Sequence, residues 1–92
     1  MVDRRVSAAP PQSAAHWLAV LDRLLLQMIA QQEHKLLGLA RQAVPDLTPE
    51  DLRNPQDFPA LGRDPIFNYE DGLLAGLRSA HMALRAEMRG RA

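Results

Sequence analysis

The chain has 92 residues, is 47% hydrophobic but only 4% aromatic, lacks cysteine, and balances 11 basic against 11 acidic residues for a formal net charge of zero. That length holds one small domain, and the missing cysteines exclude a disulfide framework and a cysteine-based zinc site. The charge balance argues against a dedicated nucleic-acid binder, which leaves packing and self-association to stabilise a small core.

Residues 1–12, MVDRRVSAAPPQ, show no periodicity and end in Pro10-Pro11, as expected of a disordered or extended tail. Arg4 and Arg5 are followed by Ala, Pro and Ser instead of an apolar core, so no secretory leader is expected and a cytoplasmic location follows as the default.

Helical periodicity begins after Ser13, a suitable N-cap, and is expected to run over about 13–44. Its apolar positions are Trp17, Leu18, Leu21, Leu24, Leu25, Met28, Ile29, Leu36, Leu37, Leu39, Ala40 and Ala43, with Val20, Leu26 and Ala30 widening the face. Asp22 and Arg23 interrupt the one long apolar run, so no membrane span is expected. Gln31–Lys35 is polar throughout, and by spacing Gln32 intrudes on the apolar face. Such a residue fixes the register of an interface, marks a kink, or sits at the edge of the core; the last is expected here.

A connector over 45–67 follows, holding five of the seven prolines, at Pro45, Pro49, Pro55, Pro59 and Pro65. Thr48-Pro49-Glu50-Asp51 predicts a short helix to about Arg53, with Thr48 as N-cap, Pro49 at the first helical position and Leu47 and Leu52 as a hydrophobic staple. Asn54-Pro55 repeats the pattern. The second long helix is expected over about 65–90, capped by Asp64 or Asn68 and stopped at Gly90. Its core face reads Leu73, Leu77, Ala80, Leu84 and Met88; Gly72, Gly76 and Ala80 form a stripe of small residues that would admit a close neighbour.

Charge is unevenly spread. Residues 44–71 hold seven acids against Arg53 and Arg63, a net of −5, whereas residues 72–92 hold four arginines against Glu87, a net of +3. In a hairpin this makes one end acidic and the other basic, which steers partners or favours head-to-tail contacts.

Chemistry-bearing motifs are absent. His16, His34 and His81 show no metal-ligand spacing, no glycine-rich phosphate loop occurs, and Ser7, Ser13 and Ser79 lack a nucleophile's setting. No catalytic residue, cofactor or metal is expected. The run Leu21-Asp22-Arg23-Leu24-Leu25-Leu26-Gln27-Met28-Ile29-Ala30 resembles the first helix of the all-helical chorismate mutases, small interlocked dimers with one long helix. That resemblance implies a cationic pocket for a dicarboxylate, yet Gln31-Gln32 follows where cations are needed, and the first helix beyond it offers only Lys35 and Arg41.

The sequence thus predicts an all-α fold: two long antiparallel helices joined by a proline-rich connector with short helical turns, completed as a four-helix bundle by homodimerisation. Trp17, Leu21, Leu24, Leu25, Met28, Gln32, Leu73, Leu77, Ala80 and Leu84 are the expected dimer interface. Phe58, Leu61, Asp64, Phe67 and Tyr69 are the expected partner-docking surface at the acidic end. The expected function is that of a non-enzymatic interaction, adaptor or regulatory protein, its partner a second copy or another helical protein, not a membrane or nucleic acid. Two alternatives are a chorismate-mutase-like enzyme and a DNA-associated regulator acting through Arg78, Arg85 and Arg89.

Overall fold

The computed structural model describes residues 13–91, so the expected N-terminal tail lies outside the described residues. Helix α1 spans Ala14–Ala43. Ser13 Oγ accepts the His16 amide at 3.1 Å, satisfying one of the donors that a helix start leaves without a partner. The helix is continuous through Gln31–Lys35, so the polar turn marks no kink. It ends where Val44 leaves helical geometry, because the ring of Pro45 disfavours that geometry at the residue before it.

The connector is a chain of short capped turns. Thr48 and Asp51 cap each other: the Asp51 amide donates to Thr48 Oγ1 at 3.1 Å and the Thr48 amide to Asp51 Oδ2 at 3.0 Å. The helix expected after Thr48 is only a 3₁₀ turn, Asp51–Arg53, because Asn54 precedes a proline. A second 3₁₀ turn, Pro55–Asp57, leads into the four-residue α2, Pro59–Gly62. Arg41 Nε donates to the Leu47 carbonyl at 2.8 Å and ties the connector back to α1.

Helix α3 spans Pro65–Gly90. Asp64, not Asn68, is its cap: Oδ1 accepts from the amides of Ile66 at 2.9 Å and Phe67 at 3.3 Å, and Pro65 fills the first position, which has no need of a donor. Asn68 instead donates its side-chain amide to the Gly62 carbonyl at 3.1 Å.

Helices α1 and α3 pack antiparallel, as the pairs Gln32–Glu70 and Asp22–His81 require. The buried core comprises Ile29, Leu36 and Ala40 of α1, Leu47 of the connector, Leu61 of α2, and Phe67 and Leu74 of α3. All lie in the connector half of the hairpin. Among the described residues none before Ile29 and none after Leu74 is buried. Two helices cover only one stripe of each other; at one end the connector supplies a third layer, and at the other no described residue does.

Two expectations are corrected. The stripe of α3 that faces α1 runs through Phe67, Glu70 and Leu74, whereas Leu73 and Ala80 are exposed and Leu77, Leu84 and Met88 half-buried. The apolar arc of α3 is wider than the strip α1 can cover, and the contact falls on its other edge. Gly72 and Gly76 do not admit α1 either, since a Cβ at each position would meet nothing within 4 Å.

Candidate interaction face

Successive residues advance roughly 100° around an α-helix. Counted from the half-buried Leu25, the side chains of Trp17, Leu21, Leu24 and Met28 all fall to one rotational side of α1. Counted from the buried Leu74, those of Leu73, Leu77, Ala80 and Leu84 fall to the same rotational side of α3. Because the helices run in opposite directions, equal rotation brings both stripes to one side of the hairpin. That side presents Trp17, Leu21, Leu24 and Met28 at 53%, 47%, 49% and 48% exposure and Leu73 at 43%, without a charged residue among them. Leu25, Leu77 and Leu84 are half-buried along its inner seam.

The interhelical ion pairs lie on the opposite side. Arg78 pairs with Glu33, and Asp22 lies 2.7 Å from the His81 ring Nε2 and 3.6 Å from Arg85. One polar tie stands on the apolar side, at its connector-end margin. There Gln32 Nε2 donates to the Glu70 carbonyl at 2.9 Å and to its carboxylate at 2.8 Å, and Lys35 Nζ reaches that carboxylate at 3.2 Å. Glu70 is buried, and its carboxyl is held below the ordinary glutamate range by the hydrogen bond from Gln32 first, then that from Lys35, against the opposing effect of desolvation. Gln32 is therefore neither a kink nor a bystander, but part of the joint between the helices.

The expected docking residues of the connector separate into distinct roles. Leu61 and Phe67 are wholly buried and belong to the core, so they offer a partner nothing while the fold is intact. Asp64 is committed to capping α3 and Phe58 packs half-buried against the core. Tyr69, 66% exposed, is the one of the five on the outer surface, with Ile66 exposed nearby. Asp22, Glu70 and His81 carry no sequence signal that pairs them with other residues. Their partners lie 35 to 63 residues away, and no local spacing reveals them.

A cavity of about 290 Å³ opens on the charged side, between α1, the connector and α3. Its floor is Leu37, Leu52 and Leu74, and its rim sets Arg53 and Arg78 against Glu33 and Asp71. Two acids thus offset two cations, and Lys35 and Arg41 are engaged with Glu70 and with the Leu47 carbonyl. This is not the cationic pocket that a dicarboxylate requires. Arg78 and Arg85 are likewise partnered by acids within the hairpin, which reduces the basic surface that a DNA reading needs. Among the described residues no group of three or more His, Cys, Asp or Glu is placed to hold a metal ion, and no helix is long and apolar enough to cross a membrane.

The chain matches no protein-family model, no curated protein and no solved structure.

Proposed function

We propose that this protein is a non-enzymatic interaction module that works by presenting the apolar side of its hairpin to a helical partner, and that a second copy completes it as a four-helix bundle. One observation carries the reading: the open half of the hairpin has no buried residue among those described, while Trp17, Leu21, Leu24 and Met28 form a continuous half-exposed stripe beside Leu73. A contiguous apolar surface of this kind, bordered by a polar tie at its connector-end margin, is characteristic of an interface. From Tyr69 to Met88 the face is about 30 Å long, and about 20 Å wide across two helices, hence about 600 Å² per copy. Two such faces clear the roughly 1,000 Å² expected of a specific interface. Connector residues contribute chiefly by building the core beneath the face, and Tyr69 extends the face toward the acidic end.

The test is solution mass against concentration for the wild type and for Leu24→Lys. A charge in the middle of the face, on a side chain already half-exposed, should leave helicity intact and abolish association. Equal association of both proteins would sink the reading.

A further inference from the structure

We infer that the cavity between α1, the connector and α3 binds a small zwitterion with an aliphatic body, an α-amino acid of the leucine class. The cavity lies on the charged side of the hairpin, so this site is independent of the apolar face. Its volume of about 290 Å³ stands at the lower end of ligand sites, which limits the occupant to one small molecule. Each of the three segments contributes one leucine to the floor: Leu37 from α1, Leu52 from the connector and Leu74 from α3. Leu74 is buried and the other two are half-buried against the core, so an aliphatic chain laid on them leaves water. The rim decides the charge of the occupant. Glu33 and Arg78 pair with each other across the helices. Asp71 is half-buried and has no ion-pair partner among the described residues. Arg53 meets Glu50 at 3.9 Å with both side chains mostly exposed, a contact that holds neither in place. Asp71 is thus available to an ammonium group and Arg53 to a carboxylate. A lone anion would face Asp71 and Glu33, and a lone cation would face Arg53 and Arg78; a zwitterion gives each sign its partner. The wall that carries Leu52 and Arg53 is already built. Thr48 and Asp51 cap each other beside it, and Arg41 ties Leu47 back to α1, so binding orders little further chain.

The test titrates four compounds into the full chain, followed by leucine-methyl NMR and calorimetry. They are L-leucine, isopentylamine without the carboxylate, isovalerate without the ammonium group, and N-acetyl-leucinamide, which keeps the side chain but no charge. L-Leucine should shift the methyl signals of Leu37, Leu52 and Leu74, leave those of Leu21 and Leu24 in place, and bind at least about tenfold tighter than the other three. Asp71→Asn and Arg53→Gln, both on the rim and outside the core, should each weaken L-leucine about tenfold with helicity unchanged. Isopentylamine or isovalerate binding as tightly as L-leucine would overturn the zwitterion. N-acetyl-leucinamide binding as tightly would overturn the free amino acid and make the cavity a slot for a partner's side chain. No methyl shift with L-leucine at about 10 mM, or equal binding by wild type and both rim variants, would overturn the site.

Discussion

Gln32 and Glu70 fix the register of the two long helices. One amide group, Gln32 Nε2, bonds both the backbone carbonyl and the carboxylate of Glu70 across 38 residues of sequence. The backbone bond fixes the height of α3 against α1, and the carboxylate bond fixes its rotation. Replacing Gln32 by Ala leaves both acceptors half-buried without that donor, and should lower stability by about 1–2 kcal/mol. Gln32→Glu should do more damage, by setting two carboxylates together. Urea midpoints of the three proteins measure this; equal midpoints would show that the joint contributes nothing.

Glu70 gives the hairpin a defined acid response. Its folded-state pKa is depressed by Gln32 and then Lys35, so its contribution to stability is fully present above the ordinary glutamate value and is lost as pH falls through the folded-state value. The wild type should therefore lose stability in that acid window, and Glu70→Gln, weaker at neutral pH, should lack that step. Unfolding midpoints followed from neutral pH into acid would reveal a difference curve, and a flat one would contradict the assignment.

The burial of Phe67 and the exposure of Tyr69 separate structure from surface two residues apart. Phe67→Ala removes a ring that is 1% exposed and should cost about 3–5 kcal/mol, enough to unfold a small domain. Tyr69→Ala should stay within about 0.5 kcal/mol of wild type. Thermal melts distinguish the two, and a Phe67→Ala protein as stable as wild type would show that the aromatic ring does not support the core.

Gly72 sits inside α3 with no atom within 4 Å of the place a methyl group would occupy. Gly72→Ala should therefore raise stability by roughly 1 kcal/mol through helix propensity alone. A loss instead, growing with protein concentration, would reveal a neighbour packed on that glycine.

Much of this molecule was legible along the chain because it is local. Ser13, Thr48 with Asp51, and Asp64 with Pro65 act on amides within three residues, so the spacing of caps and prolines sets where α1 stops, how the connector is divided and where α3 starts. The all-helical class and the breadth of the apolar arc followed from the same periodicity. Other features were settled only in three dimensions. Helical periodicity repeats every turn, and a wide arc offers neighbouring stripes that are equally apolar; whether Leu73 or Leu74 is covered depends on how α3 is rotated against α1. Phe67 and Leu61 look like exposed aromatic and aliphatic candidates in a proline-rich stretch, yet the folded connector turns them inward. Asp22–His81 and Gln32–Glu70 join residues 59 and 38 apart, and their meeting depends on the length and path of the connector between them. The sequence by itself determined the helices, their caps and their amphipathic breadth, because those depend on neighbours a few residues away; only the tertiary structure decided the register, the buried stripe and the face left open, because those depend on how one rigid helix is set against another.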